Sequence, residues 1–132
     1  MPTVLAIDTR ESIIDTCEHL AEIAWHAALA ALRTLGTSGG SLADLVDTEN
    51  HSIYSEARAM YAAARIVGDL DRVGCREVAF ACAFAGEALE RRNHVREATY
   101  VSFRDDERNV FRCETASNTA QRYAACALSL VK

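Results

Sequence analysis

The scarcity of helix-breaking residues constrains this chain more than any other feature. Its 132 residues include one proline, at position 2, and six glycines. A many-stranded sheet needs frequent turns, and these two residue types are the strongest turn signals. The sequence therefore favours long helices, and its 50% content of hydrophobic residues suits a folded core. We predict one all-α domain over residues 1–132, built as a bundle of four to five helices.

One stretch identifies the central helix of this bundle. Residues 78–86, VAFACAFAG, carry no charge on any side of a helix. A helix that is apolar all round has to be surrounded by other elements. We expect it to begin at Asp69 or Asp71, to reach about Arg92, and to bury Phe80 and Phe84. Apolar stripes at helical spacing predict neighbouring helices at about 9–35, 52–68 and 117–130, with a short helical piece at 41–47.

For two segments, the sequence does not decide between two possible secondary structures. Residues 3–8, TVLAID, read as a short strand, or Asp8 with Glu11 forms a capping box that starts the first helix. The apolar residues of 95–114 scatter around a helix axis without forming a stripe. This segment is either a broken helix or a small β-hairpin near 99–114, with DDER as its turn.

Charge and cysteine content narrow the class of protein. The net charge of −5 lacks the basic surplus that duplex nucleic acid requires, so we expect no nucleic-acid partner. The five cysteines are odd in number and contain no C-x-x-C pair, which predicts reduced thiols. No signal peptide or membrane-length apolar run is visible in the sequence. We therefore predict a cytoplasmic protein that does not bind a membrane.

The stretch EHLAEIAWH, residues 18–26, resembles a metal site in composition. His19, Glu22 and His26 lie three and four residues apart, so they share one side of a helix. That side is opposite the apolar stripe, which indicates a solvated face. The alternative is a metal-dependent helical-bundle enzyme or a metal-binding protein that uses these residues from two copies of the chain, because one copy of this motif supplies too few inward ligands.

Catalytic templates are missing from the sequence. H-E-x-x-H, serine nucleophile elbows and phosphate-binding loops do not occur. We accordingly expect no cofactor, and a catalytic role is less favoured than a binding role. A small-ligand pocket inside the bundle, lined by Trp25, Tyr61, Phe80 and Phe84, is a further alternative.

The leading hypothesis is a non-catalytic protein that binds another protein, as an adaptor, inhibitor or immunity-type factor, or that forms a homodimer. Its support is the abundance of aromatic and arginine residues, which are enriched at binding hot spots, in an irregular segment. The predicted partner-binding residues are Tyr100, Phe103, Arg104, Arg108, Phe111 and Arg112. An acidic partner surface would complement the three arginines.

Overall fold

Four α-helices make up the described part of this protein. The structure is a computed structural model that describes residues 2–35, 53–70, 72–97 and 103–131, with side chains for 11–35, 56–70, 72–97 and 107–130. The helices are α1 (Pro2–Arg33), α2 (Ile53–Gly68), α3 (Cys75–Glu97) and α4 (Phe103–Val131). The predicted all-α bundle is confirmed at four helices. The fifth piece, predicted at 41–47, lies outside the described residues.

Helix α1 begins earlier than the sequence predicts. It starts at Pro2, so residues 3–8 are helical and the predicted strand is wrong. The Asp8 capping box is wrong for the same reason, since the helix continues through that position. Proline fits the first turn of a helix because the amide hydrogen that it lacks has no intrahelical acceptor there. A short apolar run such as VLAI is compatible with either a helix or a strand, and its length alone did not decide between them.

Helix α3 is displaced toward the C-terminus relative to its prediction. Gly74 has a φ of 88°, a left-handed conformation that glycine adopts without steric cost. The carbonyl of Gly74 then accepts a hydrogen bond from the amide of Val78 at 2.9 Å, which opens the helix. The helix continues five residues beyond the predicted end at Arg92, to Glu97.

Helix α3 is the central element, as predicted. It packs against α1, α2 and α4, and α1 also packs against α4. Contacts at both ends show that α1 and α3 are antiparallel: Glu18 lies 3.4 Å from Arg96, and Arg72 donates to the Leu35 carbonyl at 2.9 Å. Helices α2 and α4 are also antiparallel to α3. The described residues of α2 make no close backbone approach to those of α1 or α4, so α2 packs on α3 alone.

Small side chains let α1, α3 and α4 approach closely. The buried core contains many alanines and four cysteines. The Cys113 thiol donates to the carbonyls of Cys17 and Ala88, both at 3.6 Å. The Ser117 hydroxyl of α4 donates to the Leu20 carbonyl of α1 at 2.7 Å. Such side-chain contacts with neighbouring backbones require the small residues that the sequence supplies at these positions.

The predicted β-hairpin is wrong over residues 103–114, which belong to the continuous helix α4. The buried stripe of α4 begins at Cys113, whereas Arg108, Phe111 and Arg112 are exposed. Among the described side chains of 107–112, Val110 is the apolar one that packs against the core, and a single such position forms no apolar stripe. The missing periodicity therefore reflected how few positions are buried here and not a different backbone conformation. Residues 98–102 lie outside the described part.

Two further observations concern the surface of the bundle. The prediction that α3 is surrounded on every side is wrong, because Phe80 is 37% exposed and Phe84 is half-buried. One side of α3 is left open between α2 and α4. No helix in the described ranges is long and apolar enough to cross a membrane.

Candidate functional site

The His19, Glu22 and His26 set lies on the solvent side of α1, where helical spacing places it. All three side chains are exposed. His26 Nε2 lies 3.7 Å from Glu22 Oε1, and the two side chains are 66% and 68% exposed. Within the described ranges, no group of three histidine, cysteine, aspartate or glutamate side chains is close enough to hold a metal ion. This set therefore has the geometry of a surface helix pair.

The predicted partner-binding residues fall into three groups. Tyr100 lies outside the described residues. Phe103 and Arg104 are in the first turn of α4, and their side chains are not described. Arg108, Phe111 and Arg112 are exposed on α4, and Phe111 is 67% exposed. Of the six, Phe111 and Arg112 line a surface feature that the sequence did not predict.

That feature consists of three neighbouring surface cavities, linked by the stacked rings of Phe80, Tyr123 and Phe84, and we call them together the aromatic furrow. Helix α3 forms its floor, and α2 and α4 form its walls. Its lining residues are Tyr61, Ala64 and Arg65 from α2, Ala79, Phe80, Ala83, Phe84, Glu87 and Arg91 from α3, and Phe111, Arg112, Thr115, Ala116, Thr119, Arg122, Tyr123 and Cys126 from α4. In the part of the chain that the structure describes, the furrow is open because α2 and α4 do not approach each other.

Stacked aromatic rings form the α4 side of the furrow. The ring of Tyr123 lies across both α3 phenylalanines, with centroids 4.9 Å from Phe80 and 6.1 Å from Phe84. Phe111 lies further along the same side, beside Phe84. Aromatic pairs of this kind add about 0.5–1.5 kcal/mol beyond the area that they bury. Phe80 is stacked and still 37% exposed, so the cluster presents an apolar surface to solvent.

Arginines surround this apolar surface. The guanidinium of Arg76 lies 5.7 Å from the centre of the Phe80 ring, in a cation–π contact. Among the described residues, the furrow is lined by four more arginines and by one acid, Glu87; the arginines are Arg65, Arg91, Arg112 and Arg122. The whole chain carries a net charge of −5. The furrow is therefore a locally positive and aromatic surface on an acidic protein.

Tyr61 forms the α2 wall and is held in place by two contacts. Its ring lies over Gly86, where an added Cβ would be 3.0 Å from the Cε1 atom. Burial, followed by the charge of Glu90 and a hydrogen bond to its carboxylate, raises the pKa of Tyr61 to about 12. The neutral hydroxyl therefore donates to Glu90. The close approach of the ring leaves little room for a side chain at position 86.

A second and more polar cleft lies on the opposite side of α2, between α1 and α2. Its lining includes Trp25, Arg92 and Glu56. Arg92 donates to Glu56 at 3.0 Å through Nη2 and to Asn93 at 3.2 and 3.3 Å through Nη2 and Nε. Both side chains of the Arg92–Glu56 pair are largely buried. Removing one partner of a buried pair leaves an uncompensated charge, so this contact ties α2 to α3.

The four residues of the predicted ligand pocket are not brought together. Trp25 lies in the polar cleft, whereas Tyr61 and Phe80 line the aromatic furrow with Phe84 further along it. The two surfaces are on different sides of α2. A single pocket lined by all four side chains is therefore wrong.

Four of the cysteines are core residues. Cys17, Cys75, Cys82 and Cys113 are buried, Cys126 is exposed, and none of the five forms a disulfide. Burial raises the pKa of Cys82 to about 12. A hydrogen bond with Cys17, followed by burial, raises the pKa of Cys113 further. Thiols held in their protonated form are poor nucleophiles, so Cys82 and Cys113 have a structural role in packing.

Comparison with known proteins gives no information about function, so a proposal has to rest on the geometry of the structure. No protein-family model matches the sequence, and searches of the curated proteins and of the solved structures found no match.

Sequence reasoning found one end of the aromatic furrow and missed the rest. Phe111 and Arg112 were predicted from residue type. Tyr123 was not among the predicted site residues, and Phe80 was assigned to a fully surrounded helix. The available signal was the pair Phe80 and Phe84, four residues apart on the side of α3 that also carries Arg76 and Arg91. Charged residues that bracket an apolar pair indicate an open strip.

Proposed function

We propose that this protein is a non-catalytic helical protein-binding factor, of the adaptor, inhibitor or immunity type, and that the aromatic furrow is its partner-binding surface. The observation that carries the proposal is the row of aromatic rings left open along α3. Phe111 is 67% exposed and Phe80 is 37% exposed, and both border the same furrow. A contiguous exposed apolar surface with a polar rim is typical of interaction sites.

The composition of the furrow supports binding to a protein. Aromatic residues and arginine are the types most enriched at the centres of protein interfaces, and both surround this surface. Stacking of Tyr123 on Phe80 and Phe84 orders these rings before any partner arrives. Side chains that are already ordered lose less conformational entropy on binding. The furrow therefore offers aromatic anchor residues whose side chains are already ordered for binding.

The predicted segment 100–112 contributes to this surface through its C-terminal end. Phe111 and Arg112 line the furrow, and Arg108 is exposed one helical turn before Arg112. Tyr100, Phe103 and Arg104 stay predictions of the sequence. The proposed surface therefore extends beyond residues 100–112, because residues of α2 and α3 also line it.

Phe111→Ala tests the proposal with the least disturbance of the fold. Tagged protein is expressed in its native source, and the proteins that co-purify are quantified for wild type and variant. We expect Phe111→Ala to weaken capture of the specific partner about 30-fold, equivalent to about 2 kcal/mol at a hot spot. The melting temperature should change little, since the side chain is exposed.

Ile66→Ala is the matched control. Ile66 is 46% exposed on α2 and does not line the furrow. It should retain the partner at the wild-type level. Equal capture by wild type, Phe111→Ala and Ile66→Ala would show that partner binding does not use the furrow.

A further inference from the structure

We infer that one cavity of the aromatic furrow is a carboxylate-binding site that holds an aspartate or glutamate side chain of the partner protein. The cavity lies between α3 and α4, and we call it the arginine cavity because Arg91 and Arg112 line it, with Phe84 and Phe111 beside them. The inference rests on the proposed protein-binding function. It adds the chemical group that the furrow recognises and the residues that bind it.

The two arginines come from different helices and are not paired with acids. Arg91 is half-buried on α3, and Arg112 is exposed on α4. In the part of the chain that the structure describes, neither forms an ion pair, and the buried Nε of Arg91 has no hydrogen-bond partner. A buried donor without an acceptor is rare in folded proteins and is a sign of a site for a water or an ion. The arrangement therefore favours an anion that brings its own acceptor atoms.

Among the described acids near the arginine cavity, Glu87 is the one that lines it. Glu90 accepts a hydrogen bond from Tyr61, which places its carboxylate on the α2 side of α3. Glu114 follows Arg112 by two residues, or about 200° around α4, and faces away from the cavity. The described lining therefore contains two arginines and one carboxylate, which leaves it with a net positive charge.

Charges further along both helices do not reverse this sign. Arg108 precedes Arg112 by four residues, so it lies on the same side of α4. Glu107 precedes Arg112 by five residues, or about 140° around the helix. Glu97 lines a separate cavity between α2 and α3. The side chains of 98–106, which include two aspartates, lie outside the described part. Among the described residues, the arginine cavity is therefore positive.

A carboxylate suits this cavity better than a phosphate group does. A carboxylate carries one negative charge, and its two oxygens accept parallel hydrogen bonds from a planar guanidinium. A phosphate monoester carries close to two negative charges at neutral pH. Glu87 lines the cavity with the arginines, and like charges repel, so it opposes the second negative charge more than the first.

The aromatic side chains beside the arginines select what accompanies the carboxylate. Phe111 is 67% exposed and Phe84 is half-buried, and both border the cavity. An apolar partner residue next to the acid would cover Phe111 and exclude water from the guanidinium groups. Attraction between opposite charges is stronger where water is excluded. The partner segment therefore carries an aromatic or aliphatic residue close to its aspartate or glutamate.

The donors of the cavity favour an acidic side chain over the end of a chain. Proteins capture C-terminal carboxylates with backbone N–H groups arranged as a nest. The residues that line the arginine cavity lie within α3 and α4, where backbone N–H groups are bonded inside the helix. The free donors are the guanidinium groups of side chains. An acidic side chain from the middle of a segment can meet them while a neighbouring residue covers Phe111.

A displayed library of short randomised peptides, selected on the wild-type protein, tests the inference. Enriched sequences are synthesised with an amidated C-terminus, so that side chains supply their only carboxylates, and their affinity is measured in solution. We expect them to carry aspartate or glutamate close to an aromatic or aliphatic residue. Replacing that acid by asparagine or glutamine should weaken binding at least about tenfold, because a charge-assisted hydrogen bond is lost.

Two arginines of α4 provide a matched pair of variants. Arg112 and Arg122 are both exposed, and Arg122 lines the furrow outside the arginine cavity. Arg112→Gln should weaken the acidic peptides at least about tenfold, whereas Arg122→Gln removes the same charge and should leave their affinity within about threefold. Arg112→Lys should restore only part of the loss, because lysine keeps the charge without the planar fork.

Arg91 is followed directly, without a substitution. Its Nε–H signal in ¹H–¹⁵N NMR spectra should shift when the acidic peptide is added, because the Nε gains an acceptor. The peptide in which the acid is replaced by its amide should leave that signal in place at the same concentration.

The outcomes separate the inference from the function on which it rests. Peptides that need Phe111 but tolerate loss of the acid or Arg112→Gln overturn the inference and leave the protein-binding function standing. Tighter binding when phosphoserine replaces the acid, or binding that requires a free C-terminus, overturns it as well. If no peptide is enriched, the inference fails, and capture from the native source then decides the function independently. Self-association that Arg112→Gln abolishes, measured by sedimentation, would support the site and identify the partner as a second copy.

Discussion

At the residue scale, side-chain size and burial decide what the five cysteines can do. The sequence predicted reduced thiols packed as small hydrophobes, and four of the five are buried in this way. The Cys113 thiol donates to two backbone carbonyls, which a larger side chain could not approach. Only Cys126 is exposed. Solvent reaches one of the five thiols, so we expect that thiol to react readily and the other four to react slowly.

Thiol titration under native conditions measures this division. With 5,5′-dithiobis(2-nitrobenzoate), we expect about one thiol to react quickly, because the other four are reached only when the structure opens locally. Cys126→Ser should abolish the fast phase, and addition of denaturant should release the remaining thiols. Fast reaction of two or more thiols in the native protein would contradict the burial of the core cysteines.

At the scale of helices, sequence patterns located the elements and misplaced their ends. Stripes such as that of Cys17, Ala21 and Ala24 are buried as predicted, because burial of one face creates the period. The start of α3 depended on the backbone conformation of Gly74, which leaves no periodic signal. The first part of α4 was ambiguous because, among its described side chains at 107–112, Arg108, Phe111 and Arg112 are exposed and Val110 is the apolar one that packs against the core. Periodicity reports burial, so it fails wherever a helix extends beyond the core.

The contact between α2 and α3 also depends on a glycine, Gly86, because the Tyr61 ring packs closely over it. In Gly86→Ala, the new Cβ would lie 3.0 Å from the Tyr61 ring, which has to move. Overpacking of this kind costs about 1–3 kcal/mol. Alanine gains up to about 1 kcal/mol over glycine within a helix, so we expect a net loss in the free energy of unfolding. Chemical denaturation of wild type and variant measures the difference.

Gly68→Ala is the control for helix propensity. A Cβ at position 68 would lie 3.7 Å from the Cβ of Ala79, an ordinary contact distance. That variant should be as stable as the wild type, or more stable by up to about 1 kcal/mol. If Gly86→Ala were stabilised to the same degree, Tyr61 would not be held against α3 as the structure shows.

At the scale of the whole molecule, the arrangement of helices around α3 creates two unlike surfaces. Because the described residues of α2 pack on α3 and not on α1 or α4, a cleft opens on each side of α2. One cleft is polar and holds the Arg92–Glu56 pair, and the other is the aromatic furrow. The sequence identified α3 as central from its apolar composition. It could not show which side stays open, because that depends on where α2 docks.

Burial of titratable side chains across the bundle makes the protein sensitive to alkaline pH. The pKa of Cys82 is raised from 9.0 to about 12 by burial, and that of Tyr61 from 10.0 to about 12. Above pH 9, the unfolded chain releases protons that the folded chain keeps. The unfolded state then binds fewer protons, so the free energy of unfolding falls as pH rises. The loss begins near pH 9 and extends to about pH 12.

Urea denaturation between pH 8 and pH 11 tests this dependence, and Cys82→Ala identifies one of its sources. A single buried thiol contributes a slope of up to about 1.4 kcal/mol per pH unit within the window. Cys82→Ala should reduce the slope by about this amount, whatever its effect on absolute stability. Cys126→Ala, which removes the one exposed thiol, is the control for the loss of a cysteine and should keep the wild-type slope. Equal slopes for all three proteins would mean that ionisation of Cys82 is not coupled to folding, and that the central helix is more open to water than its packing indicates.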